Sequence, residues 1–129
     1  MATFADEYAA LLGRAKEQGL TQAALSDAVG LHRVTLAQAG SRPQSIGWAP
    51  LVRLCEVVGV VGRAKRALLY AWIETKAERQ PEVAALLRTV HELQRRLPVD
   101  QQDEVQQIVI DSWSAEEARY DRDEKRRKG

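Results

Sequence analysis

Cysteine is nearly missing from this 129-residue chain: Cys55 stands alone. One thiol closes no internal disulfide and makes no cysteine cluster for a metal. Aromatic residues are only 5% of the chain, and valine and isoleucine nowhere alternate strictly over a strand's length, so β-structure is not expected. No apolar run approaches the roughly 20 residues that cross a bilayer, so no membrane partner is expected. The start, Met1 to Glu7, lacks a basic segment followed by an apolar stretch, so a secretory signal is not expected and the expected compartment is the cytosol. The two histidines, His32 and His91, have no ligand spacing with each other or with Cys55, which leaves no metal site or cofactor to expect. Glycine loops for phosphate, GxSxG and HExxH are absent too, and an enzyme is not expected.

What remains is an all-α pattern. Phe4, Tyr8, Leu11, Leu12 and Ala15 form one face of a first helix, closed by Gly19. Thr21 is placed to cap a second helix, Gln22 to Ala28, which Gly30 breaks. A third helix is expected from about His32 to Ala39, a loop over 40–45, and a fourth helix from Trp48 to Val58. The fifth runs from about Arg63 to Arg79 with an apolar stripe of Leu68, Leu69, Trp72 and Ile73. Pro81 opens a sixth, to about Leu97, in which Leu86, Val90, Leu93 and Leu97 repeat as a coiled-coil-like seam. After Pro98-Val99, with Asp100 as the expected cap, a last helix carries Val105, Ile108, Val109, Ser112 and Trp113. The expected division is a first domain over 1–79, a helical hairpin over 80–120 and a charged, flexible tail over 121–129.

The formal charge is +1, which argues against a nucleic-acid binder until it is divided. Residues 1–70 hold eight basic and five acidic side chains; residues 71–129 hold eleven and thirteen. Between Ser26 and Arg66, six cations (Arg33, Arg42, Arg53, Arg63, Lys65, Arg66) face only Asp27 and Glu56 in number. Such a basic stretch is the footprint of a polyanionic partner.

That stretch overlaps Thr21 to Gly40, two short helices joined through a glycine. Leu25 and Val29 lie four apart on one face, and Ser26 is small enough for a close crossing. Gly30 makes the turn, Leu31 anchors it, and Leu36 and Ala39 lie three apart on the inner face of the next helix. With Thr21 and Gln22, these residues resemble the helix-turn-helix of Cro/repressor-type (XRE-family) regulators. The resemblance extends over five helices from about Phe4 to Ile73. It implies sequence-specific binding to double-stranded DNA, with the helix that starts near His32 in the major groove. Arg33, Val34, Ala37 and Gln38 would then meet bases: Arg33 a guanine, Gln38 an adenine, the other two thymine methyls. Thr21, Gln22, His32, Ser41, Arg42 and Arg53 would meet phosphates, which position the domain without reading sequence. Two alternatives stay open: Arg33 and Arg42 as plain surface charges, and Val34 packed on the fourth helix.

The chain departs from the family pattern at three positions. An arginine late in the first helix and a glutamate at the end of the recognition helix often pair; here they are Ala15 and Gly40. Losing both strands no charge. His32 stands where serine or threonine is frequent, which weakens the cap.

One such unit covers few base pairs, and a two-fold dimer is the usual remedy. The hairpin offers Leu86, Val90, Leu93, Leu97, Val105, Ile108, Val109 and Trp113 as a dimerisation face that it cannot bury alone. The expectation is therefore a homodimeric repressor that acts by occupying a palindromic operator. The alternatives are a hairpin folded back on its own domain, or an antitoxin-like module whose hairpin docks a protein antagonist or toxin. The basic end, Lys125 to Lys128, is expected to complement its helix dipole, with a phosphate-seeking arm as the alternative.

Overall fold

The structure, a computed structural model, describes residues 3–128, with side chains through Arg119 and at 122, 126 and 127. It is all-helical: among the described residues there is no strand. The helices are α1 (Phe4–Glu17), α2 (Gln22–Val29), α3 (Arg33–Gln38), α4 (Trp48–Val58), α5 (Gly62–Ala77), α6 (Pro81–Gln94) and α7 (Val99–Lys128), with a 3-10 turn at Pro43–Ser45 inside the expected loop. No helix among the described residues is long and apolar enough to cross a membrane.

Local chemistry sets most of these boundaries. Thr3 accepts from the Asp6 backbone N–H at 3.3 Å, and the Asp6 carboxylate accepts from the Thr3 N–H at 3.0 Å, a reciprocal cap for α1. These bonds hold the Asp6 carboxyl below the usual aspartate range. Thr21 caps α2 by accepting from Ala24 N–H at 3.1 Å. Gly30 ends α2 with φ +72°, and the N–H groups of Gly30 and Leu31 both reach the Ser26 carbonyl at 2.9 and 3.1 Å. A side chain at Gly30 would meet no neighbour, so glycine is needed there for its backbone alone.

α5 is the spine of the molecule. It packs on α1, α4, the 3-10 turn, α6 and α7. Trp72, 1% exposed, marks its centre. The indole N–H donates to the Ile46 carbonyl at 3.1 Å, which pins the loop after α3 to the core. The ring lies 5.4 Å from that of Trp48 and meets Trp113 of α7 edge-on at 6.0 Å. Lys76 places its ammonium 4.7 Å from the same ring. The inner faces expected for α1 to α3 are buried at Phe4, Tyr8, Leu11, Ala15, Leu25, Val29, Leu36 and Ala39, with Leu12 only partly buried; Cys55 of α4 is buried as well.

The hairpin departs from expectation. It folds back onto α5 and buries Leu87 and Ile110 in the common core, with Val83, Val109 and Trp113 packed against it. The face that was expected to need a partner is thereby split. Leu86, Leu93 and Ile108 remain 64%, 57% and 63% exposed, whereas Val90, Leu97, Val105, Val109 and Trp113 are half-buried. The inward residues of α6 are Val83, Leu87, His91, which meets Tyr70 of α5, and the buried Gln94, a stripe at helical period displaced from the 86-90-93-97 seam. Gln94 donates to the Gln102 carbonyl at 3.1 Å and Gln102 to that of Leu97 at 2.9 Å, so two side-chain amides stitch the corner between α6 and α7.

α7 also begins one residue before the expected cap, which places Asp100 inside its first turn, and it continues as helix through the segment expected to be a tail. The side chains of Lys125 and Lys128 lie outside those described.

Candidate nucleic-acid interface

α3 is six residues long, and its cap, His32, makes no side-chain bond. So short a helix has little stability of its own and is held by what it packs on. Leu36 and Ala39, both 0% exposed, plug its inner side into the core. A second tie comes from α1: the Tyr8 hydroxyl donates to the Leu36 carbonyl across 28 residues. Burial pushes this phenol up to about 12, so it stays a donor at any ordinary pH.

Tyr8 also accounts for the small residue at 40. A Cβ on Gly40 would stand 3.3 Å from Tyr8 Cδ1, tighter than an ordinary contact. Ala15 is a core residue of α1, 1% exposed. The ring of Tyr8 occupies the ground beside α3's end, and the small residue at 40 admits it. α1 and α3 are joined here by an aromatic side chain and a carbonyl, with no ion pair.

With the inner side so fixed, Arg33, Val34, Ala37 and Gln38 all face outward and exposed. Val34 is 60% exposed, which removes the alternative that it packs on α4. Ser41 and Arg42 follow directly. Ser41 Oγ donates to the Gln38 carbonyl at 3.1 Å, and Ser45 Oγ donates to the Arg42 carbonyl at 2.7 Å. These two bonds fix the backbone that carries the exposed Arg42 side chain.

The remaining candidates are spread over α2 and α4. Thr21 and Gln22 are exposed at the start of α2, where free N–H groups and the helix dipole favour an anion, although the Thr21 hydroxyl already serves its own helix. Arg53 is partly committed as well: its Nε donates to the Ala28 carbonyl at 2.8 Å, joining α4 to the last turn of α2. Lys16, which the sequence reading passed over, lines one cleft together with Thr21 and Gln22. Its position in the last turn of α1, just before a glycine turn into a capped helix, was the available signal.

The basic stretch is not one surface. Arg63 and Arg66 lie 3.3 and 3.7 Å from Asp103 of α7, and Lys65 lines a cavity beside α7. Arg33, Arg42 and Arg53 are left on the side of α2 and α3. Cys55 is a core residue, 0% exposed, whose thiol burial pushes up to about 11. His91 meets Tyr70 edge-on and stands 3.9 Å from Glu74, a contact between α6 and α5.

No family model, no curated protein and no solved structure matches the chain.

Proposed function

We propose that the chain is a sequence-specific double-stranded-DNA-binding transcription regulator of the Cro/repressor kind, acting as a repressor by occupying its operator. One observation carries this reading. α3 presents Arg33, Val34, Ala37 and Gln38 as a continuous exposed face, while everything on its other side serves to hold it in place. That face combines one cation for guanine, one amide for adenine and two small apolar groups for thymine methyls, a composition matched to base edges in the major groove. Ser41, Arg42, His32, Gln22, Lys16 and the free part of Arg53 would take phosphates on either side, with Thr21 supporting Gln22 as its helix cap.

We place dimerisation on the part of the hairpin still uncovered. Leu86 and Leu93 are seven residues apart on α6, and Ile108 lies on α7. A second copy covering them would make an isologous contact. The same exposed residues also suit a partner protein, the antitoxin-like alternative; sedimentation of the purified chain decides, since a monomer favours the partner.

Selection of bound fragments from sheared genomic DNA tests the function. The proposal predicts enrichment of a palindrome whose half-sites are about 34–36 Å apart. Recovery of fragments without any shared sequence contradicts it.

A further inference from the structure

A cavity of about 330 Å³ lies between α4, the start of α5 and the middle of α7. Small-molecule sites occupy roughly 300–1,000 Å³ and favour the junctions between domains. Its apolar wall comes from Trp48, Leu69 and Ile110; its polar wall comes from Lys65 and Arg66 of α5 and from Asp111 and Ser114 of α7.

The lining has a surplus of donors. Trp48 is 5% exposed, and its indole N–H has no acceptor; the Arg66 Nε–H is buried without one as well. Buried donors in proteins are nearly always paired, so two orphans on one cavity are informative. Lys65 makes no ion pair among the described residues. The first turn of α5 begins on this wall, and its N-cap residue, Val61, provides no side-chain acceptor. The one carboxylate lining the cavity, Asp111, already accepts from Gln107 at 2.9 Å, and nearby Asp103 is taken by Arg63 and Arg66. What the wall lacks is a negatively charged acceptor.

We propose that this cavity binds a small amphipathic organic acid. Its carboxylate sits against Lys65 and the first turn of α5, and its apolar body rests on Trp48, Leu69 and Ile110. Such a ligand touches α4, α5 and α7 together and clamps the C-terminal hairpin to the first domain.

Titration of the full-length chain with benzoate, phenylacetate and hexanoate tests this without any DNA, so the outcome is independent of the proposed DNA reading. Tryptophan fluorescence gives affinity, and backbone amide NMR gives location. At least one acid is expected to bind saturably, with shifts centred on Gly62, Lys65, Arg66 and Ser114. Benzamide, which keeps the ring but not the charge, is expected to bind about tenfold more weakly or worse. Lys65→Gln weakens the acid by a similar factor, and Ser114→Trp, which fills the cavity from an exposed position, abolishes binding while the thermal melt stays cooperative. Failure of all three acids overturns the proposal. So does equal binding of benzoate and benzamide, or binding unchanged in Lys65→Gln.

Discussion

Tyr8 shows how a single buried residue can fix the outward face of a short helix. Its place on the first helix is legible in the spacing of Phe4, Tyr8 and Leu11. Its partner is not, because the Leu36 carbonyl is 28 residues away and no pattern in sequence links the two. The same limit hid the reason for Gly40, which makes sense only beside the Tyr8 ring. Burial leaves a measurable trace in three groups. Tyr8 and Tyr70 are pushed from 10 up to about 12, and Cys55 from 9 up to about 11. Raised folded values favour the protonated, neutral forms in the native state. The stability these groups contribute is whole below about pH 8, where the unfolded thiol begins to ionise, and is lost as pH rises toward 12. Unfolding free energies from urea titrations should therefore fall across that window and stay flat, as far as these groups decide it, from about pH 6 to 8. At the interface, Arg42→Ala should weaken DNA binding about equally for all sequences and reduce the salt slope by about 1, as measured by anisotropy against salt concentration.

Helix boundaries are set locally, and several were legible for that reason, although α6 ends at Gln94 before the expected Leu97 and α5 spans Gly62–Ala77 where 63–79 was expected. Thr21, Gly30 and Pro81 act within a turn of where they stand, and α4 has the bounds expected of it. Gly30→Ala should cost about 1–2 kcal/mol in chemical denaturation, the penalty of a left-handed conformation for a residue with a Cβ. The face of α6 was not legible. A seam at 86, 90, 93 and 97 and a stripe at 83, 87, 91 and 94 are both helical, and which one is buried depends on what covers it. α5 and the start of α7 cover the second. Two substitutions separate the consequences. Trp113→Ala removes the edge-on contact with Trp72 and should destabilise the chain by about 2–3 kcal/mol, somewhat below the cost for a fully buried tryptophan. Leu93→Glu, at a position 57% exposed, should leave the melting temperature nearly unchanged and, on the proposed self-association, shift sedimentation from dimer to monomer.

For the whole molecule, charge is arranged by contact more than by total. The near-neutral sum conceals a more basic first part, as the sequence indicates, but three of the six cations counted there turn toward α7. Asp103 takes two of them and the cavity a third. The hairpin is thus both a packing layer over Trp72 and an electrostatic lid on α5. This leaves Arg33, Arg42 and Arg53 as the cations of that stretch without an acidic partner among the described residues, a modest charge that the proposed reading supplements with base contacts and a second copy. The central claim is that α3 reads bases, and Arg33 is its sharpest test. Binding-site selection from random duplex DNA should be run in parallel on the wild-type chain and on Arg33→Ala, an exposed position whose change leaves the fold intact. The account predicts that the variant loses about 1–3 kcal/mol on the wild-type site and accepts any base at one position of each half-site while keeping the rest of the motif. An unchanged motif bound with unchanged affinity would contradict it.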